Sequence, residues 1–317
     1  MEPRRENMPK IENLSEAVIG ALDYFERHPV PHLDIDKYKR PFVVGSGNAI
    51  NTGKIIFSGR AAIFADQSDF KSMVSSNKDV IDGGFIKDAV IISASGEKDS
   101  IWETEFAKQN GLRTTLVTNK GESSAAKIAD EVIACESRDE PYTYNTSTYM
   151  GMILASTGEN PREIKNLIQN VQLPDDFAQY DSFSFVLPDR FATICPMLEI
   201  KRHELFGPKV SLRAFPEGDA RHAKFVILDD KELVISVGFN NDRFGMPQSR
   251  WDIQLPDGAS FGTVMALTYW LVGRMQAVKP PYFMENIARY VSEDGPRAYG
   301  EGTKPFDLIV PGTAKEE

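Results

Sequence analysis

The chain has 317 residues, with 36 Lys and Arg against 46 Asp and Glu for a formal net charge of −10, and 41% of its residues are apolar. That length exceeds what one hydrophobic core usually organises, so two units of about 150 residues each are expected. The acidic balance opposes the counterion release on which nucleic-acid binding rests, which removes nucleic acid from the expected partners.

The first residues, Met1 to Glu6, are charged, and no apolar segment of signal-peptide type follows them. The longest apolar runs, such as Thr268 to Gly273, are too short to span a bilayer, so no membrane association is expected. Cys135 and Cys195 are the only cysteines and stand far apart, which suggests neither a disulfide framework nor a zinc site. Together these features point to a cytoplasmic protein.

Leu14, Ala17, Val18, Ala21, Leu22 and Phe25 recur at spacings of three and four, the pattern of an amphipathic helix that ends before Pro29. Short apolar runs of buried-strand type follow at 42–44, 61–64, 89–92, 114–117 and 131–134. Helical segments at 101–110 and 123–129 separate some of them. Strand alternating with helix predicts an α/β fold with a doubly wound parallel sheet. Two further helices are expected near 147–156 and 164–171, and the boundary between the halves is placed at Pro174, giving units 1–173 and 174–317. Beyond it the rhythm restarts with a strand at 183–187, a helix over 191–206, a strand at 210–212, a helix near Ala220 and a strand at 233–237. Helices over 260–276 and 282–291 close the pattern, and the tail beyond Gly300 is expected to be loose.

Gly45-Ser46-Gly47 follows a strand directly, but Ile50 replaces the third glycine of a dinucleotide fingerprint, so a nucleotide cofactor is not expected. His28 and His32 with Asp34 and Asp36 have metal-ligand chemistry, yet the intervening prolines make an extended connector, and no metal is expected. The most informative stretch is Ser93-Ala94-Ser95-Gly96, where a buried strand runs into two hydroxyls and a glycine at the start of a helix. Free N–H groups and the positive end of the helix dipole meet there, which suits a phosphate. Capping of the helix by either serine is the alternative reading.

A Ser-x-Ser-Gly turn after the third strand, with Gly-Ser-Gly after the first, resembles the sugar isomerase (SIS) domain, and the later pattern resembles a second such domain. The resemblance extends to the isomerase half of glucosamine-6-phosphate synthase and to phosphoglucose/phosphomannose isomerase and fructosamine deglycase relatives. It implies two flavodoxin-like domains without a glutaminase domain. It also implies a phosphate held around Gly45, Ser46, Gly47, Ser93 and Ser95, with Ser100 in the following helical turn. Lys98 stands where a Thr commonly completes the turn; as a point charge it could pair with phosphate or point to solvent. Glu140 and Thr146 resemble a segment that contacts sugar hydroxyls, the alternative for Glu140 being a carboxylate at a helix start.

In the second half, Lys201 and Glu204 lie one helical turn apart and therefore on one face. The resemblance implies that Glu204 is the base of an aldose–ketose isomerisation, that Lys201 supports the enediolate and that His222 opens the sugar ring, with His203 a possible substitute. Arg289 takes the place of a Lys that reaches the sugar. A solvated Lys201–Glu204 pair, a structural His222 and a helix-surface Arg289 are the plainer readings. The implied activity is that of a phosphosugar isomerase acting without cofactor as a homodimer. Deamination of an amino-sugar phosphate, deglycation of a fructosamine 6-phosphate and non-catalytic sensing are the alternatives.

Overall fold

A computed structural model describes residues 11–312; the charged start Met1 to Glu6 lies outside them. The first helix, α1 (Leu14–Arg27), begins where the Asn13 side chain accepts the Glu16 N–H and the Glu16 carboxylate accepts the Asn13 N–H, two otherwise unpaired donors satisfied at once. Its apolar stripe is fully buried.

The elements that follow are β1 (Phe42–Val44), α2 (Asn48–Ile56), β2 (Ile63–Ala65), α3 (Phe70–Ser76), α4 (Lys78–Asp82), β3 (Asp88–Ile92), α5 (Asp99–Gln109), β4 (Arg113–Thr118) and β5 (Glu131–Ala134). The five strands form one parallel sheet in the order β2-β1-β3-β4-β5. Both faces are covered, as continuous apolar strands require. Val43, Val90, Ile92 and Val117 pack towards α1 and α2, while Phe42, Val44, Ile91 and Leu116 pack towards α3 and α5.

After the two-residue β6 (Glu140–Pro141) come α6 (Thr146–Thr157) and α7 (Pro161–Gln169). A second parallel sheet is built from β7 (Ser182–Leu187), β8 (Ser211–Pro216), β9 (Glu232–Val237) and β10 (Arg250–Ile253) in the order β10-β9-β7-β8, with α8 (Cys195–Phe206) and α9 (Glu217–Ala223) between its strands. The last described elements are α10 (Phe261–Val278), α11 (Tyr282–Arg289), α12 (Gly295–Ala298) and β11 (Ile309–Val310). Among the described residues no helix is long and apolar enough to cross a membrane.

The two sheets share one core. Helices α6 and α10 are apolar on nearly every side and sit inside it, and α1 packs along α10. The start of α10 is held by a residue from the first half: the Glu159 carboxylate accepts the N–H groups of Ser260, Gly262 and Thr263 at 2.9, 2.6 and 2.9 Å and the Thr263 hydroxyl at 2.6 Å. It takes up donors that a helix start leaves unpaired.

Several expectations change. Residues 123–129 form successive turns and no helix, because they are spent on contacts with the neighbouring serine turn. The expected helix over 282–291 ends at Arg289 and continues as a wider turn, Tyr290–Asp294. Strand β10 lies between 237 and 260, where no element is expected. Residues 301–312 of the tail are not loose: β11 pairs antiparallel with β6, Val310 opposite Glu140, and Phe306 stacks on Tyr142 with ring centroids 5.1 Å apart.

Gly273 marks the closest approach in the core, since a Cβ there would lie 2.0 Å from the Ser15 backbone nitrogen at the start of α1. Gly273→Ala is therefore expected to cost about 3 kcal/mol of stability through overpacking, read from the midpoint of urea denaturation.

Candidate functional site

Parallel pairing brings the ends of β1 and β3 side by side, Val44 opposite Ile91, so the Gly45-Ser46-Gly47 and Ser93-to-Gly96 turns are neighbours. Gly45 lies so close that a Cβ would meet the Ile92 carbonyl oxygen at 2.9 Å. Gly47, at φ +58° and ψ −122°, opens α2, and Lys98, at φ +54° and ψ −121°, opens α5. The two turns thus deliver two helix N-termini with the same backbone bend.

Within the serine turn, Ser93 Oγ accepts the Gly96 N–H at 3.1 Å and Ser95 Oγ accepts the Glu97 N–H at 3.3 Å. Accepting leaves each hydroxyl hydrogen free to donate outward, so capping and ligand binding are compatible. Gly96, at φ +63°, could carry no side chain, because its Cβ would lie 2.0 Å from Ser123 Oγ. The turn is stapled from behind: Ala125 N–H donates to the Gly96 carbonyl at 3.0 Å, and Ser124 N–H to the Glu97 carboxylate at 3.0 Å. The bond from Ser124 holds the Glu97 carboxyl below its ordinary range. Ser100 is buried and donates to the Glu97 carbonyl at 2.8 Å. It shapes the first turn of α5.

Lys98 adopts a backbone conformation that costs a residue with a side chain of order 1–3 kcal/mol. Its ammonium sits 4.2 Å from the Tyr299 ring centroid and 5.7 Å from that of Phe306, a cation–π contact with the returning C-terminal segment. From there the rings run on, Tyr299 to Phe306 at 5.6 Å, Phe306 to Tyr142 at 5.1 Å and Tyr142 to Tyr290 at 6.2 Å. Tyr290 lines a cavity of about 540 Å³ that also holds Thr143, His203, Glu204 and Asn286. The aromatic run joins the rim of the serine turn to the cavity of Glu204.

On α8, Lys201 is completely buried. Its ammonium donates to the Thr143 carbonyl at 2.6 Å, is ion-paired with the Glu204 carboxylate and lies 5.4 Å from the Tyr269 ring centroid. Thr143 presents that carbonyl from φ +74°, unusual for a β-branched residue. The Glu204 side chain keeps 21% of its surface exposed. Burial raises its carboxyl above the ordinary range, against the opposing pull of Lys201. A carboxylate so placed is a stronger base than one in water, with a cation beside it for developing negative charge. Close by in the chain, the buried Thr143 Oγ1 and Thr146 Oγ1 have no hydrogen-bond partner among the described residues, and neither has the Tyr269 hydroxyl.

Three expected residues are engaged elsewhere. Glu140 is buried and accepts the N–H groups of Thr146, Ser147 and Thr148 at 2.9, 3.2 and 3.4 Å and the hydroxyls of Ser147 and Thr148 at 3.1 Å each. It caps α6 and presents no free carboxylate to a ligand, because the nearest unpaired donors belong to that helix. Arg289 is exposed and ion-paired with Asp294 on the turn that follows α11. His222 is exposed on α9 and does not line the cavity of Glu204, whereas His203 does, with Nε2 2.8 Å from Arg202. Sequence reasoning missed Tyr142, Tyr290 and Tyr299, which carry no motif, and the Thr143 carbonyl, a backbone group that leaves no trace in residue type.

No protein-family model matches the chain. A glutamine–fructose-6-phosphate aminotransferase [isomerizing] of Caldanaerobacter subterraneus subsp. tengcongensis is 22% identical in an alignment 244 residues long that covers 67% of this chain and 39% of that protein. Arabinose 5-phosphate isomerase KpsF of Escherichia coli is 33% identical over 92 residues, 29% of each chain. The match therefore spans well under half the length of either relative. Among solved structures, the C-terminal domain of glucosamine-fructose-6-phosphate aminotransferase from Francisella tularensis superposes with a TM-score of 0.60 at 12% identity, covering 85% of this chain and 97% of that one. The fold is the flavodoxin-like α/β arrangement expected of sugar isomerase proteins.

Behind the serine turn, Glu103 on α5 is buried, and its Oε1 has no partner among the described residues. Burial, with Asp99 and Asp66 adding to it, pushes its carboxyl from about 4.5 up to about 7. Its proton is therefore retained in the fold and lost on unfolding between those values. Stability should be full below pH about 4.5 and fall as pH rises towards about 7 from this group alone. Glu103→Gln is expected to flatten that slope in urea denaturation series run across the interval.

Proposed function

We propose that the protein binds a sugar phosphate and interconverts its aldose and ketose forms, as a member of the sugar isomerase family. The observation that carries this reading is the buried Lys201–Glu204 pair, its carboxyl raised by burial, in a cavity joined by an unbroken run of rings to a serine-rich turn. The phosphate is taken by the outward hydroxyls of Ser46, Ser93 and Ser95 together with the first N–H groups of α2 and α5. The two relatives described above are named for phosphorylated sugars, fructose 6-phosphate and arabinose 5-phosphate. A hexose 6-phosphate or related aldose or ketose phosphate is the substrate class.

In this reading Glu204 removes the proton from carbon 2, the electron pair moves towards carbon 1, and the carbonyl oxygen gains negative charge that the Lys201 ammonium stabilises. A proton passes from the carbon-2 hydroxyl to the carbon-1 oxygen, and return of the abstracted proton to carbon 1 then leaves the carbonyl at carbon 2. Glu204→Gln should abolish deuterium incorporation at carbon 2 of bound sugar phosphate in D2O, followed by NMR, while binding remains. Ser95→Ala should weaken binding about tenfold, the loss of one charge-assisted hydrogen bond. Because the raised Glu204 must be ionised to act, turnover should decline on acidification at a pH above the ordinary carboxylate range. Full turnover by Glu204→Gln would overturn the assignment.

Ring opening requires an acid, and we assign it to His222 of a second copy in a homodimer. The support is positional: His222 is exposed, and Val226 and Ile227, four and five residues on, are the most exposed large apolar residues described, at 82% and 86%. An exposed apolar run of this kind marks an interface. Sedimentation velocity should show a dimer, and Ile227→Asp should yield monomers with lost turnover. A wild-type monomer that turns over fully would overturn the dimer and leave His203 as the acid.

A further inference from the structure

The opposite end of the first sheet carries a second feature. Parallel register places the approach to β1, the residue before β3 and the first residue of β4 together at the N-terminal end of the strands, with Phe42 opposite Ala89 and Asp88 opposite Arg113. Each of these chain segments brings cations. Lys37, Lys39, Arg40, Lys87 and Arg113 line a cleft of about 610 Å³, whose wall also includes Phe85. That volume lies within the range of about 300–1,000 Å³ common for small-molecule sites.

Two of the five cations are held by carboxylates. Lys37 bonds Glu131 at 2.7 Å, and Arg113 uses Nε for Asp88 at 2.8 Å, an interaction that raises the guanidinium's pKa further. Lys39, Arg40 and Lys87 have no acidic partner among the described residues. This concentration of positive charge runs against a chain whose net charge is −10. Repulsion among these cations is unfavourable until a multivalent anion enters, and the fields of cations in one cleft add.

Phe85 adds a second requirement on the ligand. Phe85 is 75% exposed, yet its backbone N–H is bonded to the Val80 carbonyl at 3.0 Å after Gly84 at φ +73°. An apolar ring held in water beside cations offers a stacking platform for a flat, polar ring. We infer that this cleft binds a nucleoside polyphosphate, its phosphates on Lys39, Arg40 and Lys87 and its base on Phe85. It is separate from the sugar-phosphate site, which lies at the other end of the same strands.

Isothermal titration at low salt with ATP, AMP and tripolyphosphate tests the assignment, since screening would mask it at high salt. ATP and tripolyphosphate are expected to bind once per chain, and AMP about tenfold more weakly or less. The double variant Lys39→Glu, Lys87→Glu, both exposed and outside the core, should weaken both polyphosphates by at least about tenfold. Phe85→Ala should weaken ATP several-fold and leave tripolyphosphate unchanged. Ser95→Ala should leave ATP binding unchanged. Unaltered ATP binding in the double charge reversal, no binding of ATP, or its loss in Ser95→Ala would each overturn the site. A silent Phe85→Ala would overturn the nucleoside assignment.

Discussion

A lysine ammonium withdrawn completely from water costs several kcal/mol unless its charge and its donors are met. At Lys201 they are met by the Thr143 carbonyl, the Glu204 carboxylate and the Tyr269 ring, contributed by a turn before α6, by α8 itself and by α10. The geometry of three elements is therefore tied to one charged atom. Moving α8 away from the 141–145 turn would leave a buried cation without its carbonyl. The left-handed backbone at Thr143 and Asn145 is tolerated because the surroundings over-determine it.

Two carboxylates that serve as helix caps position the helices on either side of this turn. Glu140 closes the start of α6, and Glu159, at the far end of that helix, closes the start of α10. Each carboxylate uses both oxygens on donors that a buried helix start would otherwise leave unpaired, a loss costing about 1–3 kcal/mol per group. The helices that carry the site are thereby positioned by side chains from the neighbouring segment. The returning tail acts in the same direction. Pairing of β11 with β6 brings Phe306 onto Tyr142, and Tyr299 onto Lys98, so the rim between the two turns and the cavity is made of residues more than 150 positions apart.

Much of this was legible in residue order. The alternation of apolar runs and helical segments foretold parallel sheets, and the two serines with their glycine marked the turn because only a small residue fits beside Ser123. The i,i+3 spacing placed Lys201 and Glu204 on one face, and they are in contact. Local patterning failed where long-range contacts decided. Residues 123–129 had helical spacing but are drawn into bonds with the serine turn, and the tail read as loose because a two-residue strand has no period to detect.

Residue order alone carries the parallel α/β class, the position of the serine turn and the shared face of Lys201 and Glu204, because each leaves a pattern readable within a few residues. Packing of distant segments buries Lys201, raises Glu204, commits Glu140 to a helix start and sets Lys98 against aromatic rings of the tail. It also gathered the cations ahead of β1, β3 and β4 into one cleft. Burial and charge are properties of what surrounds a group, and those surroundings come from segments far apart in the chain. A motif fixes which groups are available; packing sets their protonation and their neighbours.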